Sequence, residues 1–172
     1  MAKVWIALLR AVNLGARNKV PMAGLRQLFE ESGADDVRTY IQSGNVVFAH
    51  AKPDAAALEK VIAEEFGVKT VVVLRTGAQI RKLAKSHPFG RDTSSSHVAF
   101  FVEKPPAAGL RAVAQFDRGD NEYDVLGSDI ALYYPRGVQG ASLTTARLEK
   151  LLGIRATARN WRTVEKLAEL AG

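Results

Sequence analysis

The chain has 172 residues, enough for one large domain or two small ones with a substantial core. It is 47% hydrophobic and 24% charged, the composition of an ordinary soluble globular protein. The absence of cysteine excludes disulfides, thiol catalysis and cysteine metal sites, and we expect a cytoplasmic location. The apolar run at residues 4–9 is too short for a signal-peptide core or a membrane span, so we predict no membrane partner.

The net charge of +6 is concentrated in two segments. Residues 1–29 hold five basic residues and no acidic one, and residues 136–162 hold six basic residues against Glu149 alone. Such clustering favours an anionic partner, either a phosphate-bearing ligand or nucleic acid. The alternative is a basic surface that only keeps the protein in solution.

The first 75 residues alternate between strand and helix patterns. The helices begin at Pro21 and Asp54 and end at Gly33 and Gly67, where glycine is typical of a helix end. The predicted strands occupy residues 4–9, 37–41, 46–49 and 68–74. This order, β-α-β-β-α-β, predicts an α+β fold with a ferredoxin-like sheet.

The second half repeats the order of elements. A helix capped by Thr76 and Gln79 and a polar loop at residues 90–96 connect the halves, and Asn160 is placed to cap a last helix. The predicted strands are residues 97–102, 123–126, 130–134 and 154–158, and the helices between them begin near residues 106 and 145. We predict a ferredoxin-like unit at 1–75, a connection at 76–96, and a second α+β unit at 97–172 with an extra C-terminal helix.

Three segments, residues 4–22, 39–48 and 157–167, together resemble the bacterial family known as domain of unknown function 1697. The resemblance implies an α+β protein with ferredoxin-like parts and attaches no activity to it. Ser142 stands where that family tends to carry a basic residue, which weakens any phosphate site before the helix near residue 145.

The loop after the first strand is the first candidate binding site. Its glycine lets the backbone approach a ligand, and Arg10 can hold a phosphate or carboxylate with two hydrogen bonds. The candidate residues are Arg10, Asn13, Gly15, Asn18 and Lys19. The glycines match neither a Walker loop nor a dinucleotide fingerprint. Alternatively, Arg10 pairs with a carboxylate, and Asn13 and Gly15 only shape a turn.

The second candidate site is the turn between the second and third strands. Gln42, Ser43 and Asn45 can all donate and accept hydrogen bonds there, although Asn and Gly are standard turn residues whatever the function. In a split βαβ sheet we expect this turn and the loop after the first strand to lie at opposite ends.

The third candidate comprises Arg159, Asn160, Trp161 and Arg162 at the start of the last helix. Trp161 can stack on a base while the arginines contact the nucleic-acid backbone. Alternatively, Asn160 is only a helix cap and Trp161 a core residue.

No established catalytic motif is present. His50, His87 and His97 are scattered, so we predict no metal site and no cofactor, and Ser94–Ser96 lack the context of a hydrolase nucleophile. Our first hypothesis is a non-catalytic binder of an anionic ligand, with nucleic acid as the first choice. One alternative is an enzyme for a small anionic substrate that uses Arg10, Asn13, Lys19 and Tyr40; another is a protein–protein interaction module. The sequence leaves catalysis and oligomeric state open.

Overall fold

The computed structural model describes residues 1–90 and 92–172; Arg91, part of the predicted polar loop, lies outside the described residues. The chain divides into two compact units, Met1–Lys82 with Leu167–Gly172, and Leu83–Lys166. The strands are β1 (Lys3–Leu9), β2 (Asp35–Tyr40), β3 (Asn45–His50), β4 (Val72–Thr76), β5 (Ser96–Phe101), β6 (Glu122–Leu126), β7 (Asp129–Tyr133) and β8 (Ala156–Asn160). The α-helices are α1 (Met22–Glu31), α2 (Ala55–Phe66), α3 (Gly77–Ala84), α4 (Ala107–Gln115), α5 (Thr145–Leu152) and α6 (Trp161–Leu170).

The first unit is a four-stranded antiparallel sheet in the order β2-β3-β1-β4. Leu25 and Phe29 of α1 and Ile62 of α2 form a core with sheet residues such as Leu9 and Phe48. The helices form where apolar residues recur at helical spacing. Asp54 caps α2 by accepting a hydrogen bond from the Ala57 N–H at 3.2 Å.

The second unit has the same arrangement, a four-stranded antiparallel sheet in the order β6-β7-β5-β8. Its core joins Phe101 and Leu132 of the sheet to Val113 of α4 and Leu148 of α5. The Tyr134 hydroxyl donates to the Leu143 carbonyl at 2.8 Å, and burial raises the pKa of Tyr134 to about 12.

The mixed fold with two antiparallel sheets confirms the predicted α+β class. The ferredoxin-like assignment agrees with the element order and stays a prediction, as do the domain limits 1–75, 76–96 and 97–172. In the described part of the chain, no helix is both long and apolar enough to cross a membrane.

All eight strands differ from their predicted ranges at one end or both, and two of them are displaced by two or more residues at both ends. β4 begins at Val72 rather than at residue 68, and β8 covers Ala156–Asn160 rather than 154–158. The reason is pairing across the sheet: β4 begins where Val72 aligns with Leu9, and β8 begins where Ala156 aligns with Phe101. An apolar run cannot reveal where a partner strand ends.

Both predicted helix caps are confirmed. The Thr76 N–H donates to Gln79 Oε1 at 2.8 Å while the Gln79 N–H donates to Thr76 Oγ1 at 3.1 Å, the reciprocal pattern of a capping box. The Thr163 N–H donates to Asn160 Oδ1 at 2.8 Å at the start of α6.

We predict that His97 makes the protein less stable in mild acid. Its Nδ1 is buried without a hydrogen-bond partner among the described residues, and burial lowers the pKa of His97 below 6.5. The unfolded chain therefore takes up a proton that the folded chain refuses, so stability falls as the pH drops below about 6.5. Urea unfolding between pH 7.5 and 5 should show a shallower loss of stability in His97→Leu than in the parent protein. Equal losses in the two proteins would contradict this account.

Candidate functional site

The loop that follows β1 folds back on itself as a small hairpin. The Asn13 N–H donates to the Asn18 carbonyl at 2.9 Å, and the Arg17 N–H donates to the Leu14 carbonyl at 3.0 Å. Gly15 lies in the tight turn that these bonds close, in the left-handed region at φ 59°. The tip of the hairpin, residues 14–19, is exposed to solvent.

The side chain of Asn13 holds the base of this hairpin. Its Oδ1 accepts from the Val20 N–H at 2.8 Å, and its Nδ2 donates to the Val20 carbonyl at 2.9 Å and to the Gln42 carbonyl at 2.7 Å. The Asn18 Nδ2 donates to the Ala11 carbonyl at 2.9 Å. Both amide side chains therefore stabilise the backbone of the loop, which favours a positioning role for them.

The expectation that the loop and the β2–β3 turn lie at opposite ends of the sheet is wrong. β1 and β3 are antiparallel neighbours, so the end of one meets the beginning of the other, and Leu8 pairs with Asn45. The Leu9 N–H donates to the Gly44 carbonyl at 2.9 Å. We call residues 10–19 and 41–45 the loop–turn site. It brings together the predicted residues Arg10, Asn13, Gly15, Asn18, Lys19, Gln42, Ser43 and Asn45.

A buried side chain holds the β2–β3 turn of the loop–turn site in place. Asn45 is fully buried, and its Nδ2 donates to the Tyr40 carbonyl and to Ser43 Oγ, both at 3.0 Å. Gln42 is exposed while its carbonyl accepts from Asn13. Among the polar side chains of this turn, that of Gln42 is therefore the one exposed to meet a ligand.

The backbone of the loop–turn site is strained. Five non-glycine residues have positive φ in the described part of the chain, and four of them lie here: Ala11, Asn13, Asn18 and Ile41, at 56°, 53°, 52° and 50°. Ile41 is β-branched, for which this conformation is unfavourable. Strain of this kind persists only where surrounding contacts hold it, and it is concentrated at functional sites.

The exposed surface of the site is basic and partly apolar. Arg17 and Lys19 are exposed, and Arg10 is half-buried. The Arg10 N–H donates to the Val71 carbonyl at 2.9 Å, and the Arg10 carbonyl accepts from Thr70 Oγ1 at 2.7 Å. These bonds anchor the start of the loop to the segment before β4, so the cations project from a fixed base.

Two large apolar side chains of the loop–turn site are also exposed. Leu14 is 61% exposed and Ile41 is 51% exposed. Neither residue was among the candidates from sequence, because a single exposed apolar residue in a loop gives no pattern.

The third candidate group lies in the second unit and has a different character. Trp161 is 1% exposed, and its ring centroid lies 4.8 Å from that of His87. Arg159 is also buried; it donates to Thr157 Oγ1 at 2.7 Å, and burial lowers its pKa to about 10. A buried indole has no exposed face for a nucleic-acid base, so the geometry favours the alternative in which Trp161 is a core residue.

The remaining members of this group lie at the surface. Asn160 caps α6 through Thr163, as described above, and Arg162 is exposed. The pKa of Asp92 is lowered, first by hydrogen bonds from Ser94 and also by the charge of Arg162. Arg162 is thus close enough to interact with an acidic residue of its own unit.

The structure also shows a His–Ser pair that the sequence did not suggest. His87 Nε2 lies 2.8 Å from Ser96 Oγ, but Ser96 is fully buried. A substrate cannot reach this hydroxyl, so the pair joins two segments rather than forming a nucleophile. No group of three His, Asp or Glu side chains within residues 1–90 and 92–172 is arranged to hold a metal ion.

Comparisons with known proteins describe a family and a fold. The family described as "Protein of unknown function (DUF1697)" matches residues 2–130. No curated protein matches the chain. The solved structure of the conserved bacterial protein SP0830 from Streptococcus pneumoniae is similar at 23% sequence identity, with a TM-score of 0.76 and all of both chains covered. At that identity the likeness shows the fold alone.

We predict that the packing around Gly44 is essential for joining the loop to the turn. A Cβ at Gly44 would lie 2.7 Å from Val12 Cγ2 and 2.8 Å from Leu9 Cβ, whereas a Cβ at Gly15 meets nothing within 4 Å. Both glycines have positive φ, so both alanine variants carry conformational strain. Gly44→Ala should lower the free energy of unfolding by about 2–4 kcal/mol, and Gly15→Ala by about 1 kcal/mol. Denaturant unfolding measures both, and equal effects would show that the close approach is unimportant.

Proposed function

The chain belongs to the DUF1697 family of proteins of unknown function, so we propose a function from its loop–turn site. The protein binds a phosphate-bearing polyanion there, with nucleic acid as the first choice. The observation that supports this proposal is an exposed basic hairpin on a strained backbone that internal hydrogen bonds hold in place.

The charge around the hairpin supports an anionic partner. Arg17 and Lys19 are exposed at its tip, and residues 1–29 contain no acidic residue. The first acidic residues after α1 are Asp35 and Asp36, at the beginning of β2. Asp35 pairs with Ala49 near the end of β3, whereas the loop–turn site lies at the beginning of that strand. Residues 10–19 themselves carry three basic side chains and no acidic one, and this local charge would attract phosphates.

The rigidity of the hairpin supports binding as its role. Ordering a flexible loop costs free energy when a ligand binds, and a loop ordered beforehand avoids that cost. In this proposal Asn13, Asn18 and Asn45 position the backbone, and Arg17, Lys19 and Gln42 contact the ligand, with Arg10 at the base. Gly15 allows a phosphate to approach the main chain.

Leu14 and Ile41 fit the same proposal. Proteins that enter a nucleic-acid groove combine basic and amide side chains with apolar residues that lie between base steps. The exposed surface of the loop–turn site offers that combination. The structure gives less support to the enzymatic alternative, because imine-forming lysines are commonly desolvated and Lys19 is exposed.

A salt-dependent binding assay tests the proposal. Fluorescence anisotropy would use labelled single- and double-stranded RNA and DNA of equal length, from low to physiological salt. We expect binding that weakens as salt rises, because each phosphate contact releases counterions. The double variant Arg17→Ala/Lys19→Ala should weaken binding to every probe and lower the salt slope by about 2.

The matched control is Lys3→Ala/Lys60→Ala, which removes the same charge from exposed positions of the first unit outside the loop–turn site; Lys3 pairs with His50 at the other end of the sheet. It should bind like the parent protein. If both double variants lose affinity equally, net charge alone explains binding, and the loop–turn site is not the nucleic-acid interface. If the parent protein binds none of the four probes at low salt, nucleic acid is excluded as the partner. Sedimentation of the free protein over a concentration series would show whether the interaction-module alternative applies.

A further inference from the structure

The first unit also has a cavity, which lies at the other end of β3 from the loop–turn site. It has a volume of about 190 Å³ and lies between the end of α1, the end of β3 and the beginning of α2. Its walls are mostly apolar and include Phe29, Phe48, Leu58 and Val61. The rings of Phe29 and Phe48 meet edge to face with their centroids 5.1 Å apart, so this part of the wall is well ordered by packing.

The polar side of the cavity offers hydrogen-bond donors. His50 and Lys52 both line it. His50 Nδ1 accepts a hydrogen bond from the Lys52 N–H at 3.0 Å, which places the ring proton of neutral His50 on Nε2. The cavity lining therefore includes an imidazole whose Nε2–H is left to donate and a lysine that is exposed to solvent.

The other polar groups of the wall are already engaged within the fold. Ser32 Oγ donates to the Leu28 carbonyl at 2.8 Å, and Asp54 Oδ1 accepts from the Ala57 N–H at 3.2 Å. The carboxylate of Asp54 faces the positive end of α2 and is stabilised there. An acidic ligand would therefore turn its charge toward His50 and Lys52 and away from Asp54.

We infer that this cavity binds a small monocarboxylate with an aromatic or branched apolar body. The apolar body would lie against the phenylalanine and leucine side chains, and the carboxylate would accept from His50 Nε2 and the Lys52 ammonium. The size is appropriate, because an engineered apolar cavity of about 150 Å³ binds benzene. This site is separate from the loop–turn site, and it does not depend on the proposed function.

Titration with benzoate tests the inference, with benzyl alcohol as the uncharged ligand of the same shape. We expect benzoate to shift the amide NMR signals of the cavity residues with a saturable dependence on concentration, and benzyl alcohol to bind several-fold more weakly. Lys52→Gln should remove most of that preference for the carboxylate. Equal binding of the two ligands, or no saturable shift with benzoate, would overturn the inference.

Two alanines of α2 provide a matched pair of variants. Both alanines are exposed on the same helical turn, but only Ala57 lines the cavity. Ala57→Leu fills the cavity and should weaken benzoate binding by roughly tenfold or more through lost apolar contact, whereas Ala56→Leu should have no effect. Leucine is a good helix former, so both variants should keep the fold, which their thermal unfolding would verify.

Equal benzoate affinity in the two variants would show that the ligand binds elsewhere and would overturn the inference. Arg17→Ala/Lys19→Ala should bind benzoate as the parent protein does. That result separates the two proposals, because loss of nucleic-acid binding in the same variant would leave the cavity unaffected.

Discussion

The hydrogen bonds of the Asn13 side chain are the constraint on which the loop–turn site depends. The pairing of β1 with β3 brings the loop and the turn together, and the Asn13 amide then holds them as one surface by joining the hairpin to Val20 and to Gln42. Four residues there adopt left-handed backbone conformations, each of which costs free energy. Such a backbone is retained only if its polar groups have hydrogen-bond partners, and the Asn13 side chain provides partners for the Val20 N–H, the Val20 carbonyl and the Gln42 carbonyl.

The two units share one topology, but the residues that line their cavities differ in polarity. In each unit a cavity lies between the start of the second strand and the loop that follows the third strand. In the first unit this cavity is mostly apolar, whereas in the second it is a larger space of about 370 Å³ lined by polar residues such as Asn121, Arg136 and Ser142. The sheets determine where the two cavities lie, and the loops determine which ligands the cavities can bind. Fold alone therefore does not indicate function.

Local sequence patterns predicted the order of elements well, because apolar periodicity and helix caps depend on residues close in the chain. They could not predict that the loop after β1 meets the β2–β3 turn, since that contact follows from the long-range pairing of Leu8 with Asn45. Nor could they show that the Asn13 side chain hydrogen-bonds the backbone, because the sequence does not distinguish such an asparagine from one that binds a ligand. Trp161 has the same ambiguity, and its burial becomes clear only from the fold.

Amide hydrogen exchange, measured by NMR in the parent protein and in Asn13→Ala, shows whether the Asn13 side chain holds the loop to the turn. In the parent protein, the Leu9, Asn13 and Val20 amides should exchange slowly, because all three donate hydrogen bonds in this region. In Asn13→Ala, protection should be lost at Val20 and also at Leu9, whose bond to Gly44 joins the loop to the turn, while amides in the middle of β1 remain protected. Loss confined to Val20 would contradict the account, because it would mean that the loop and the turn hold together without Asn13.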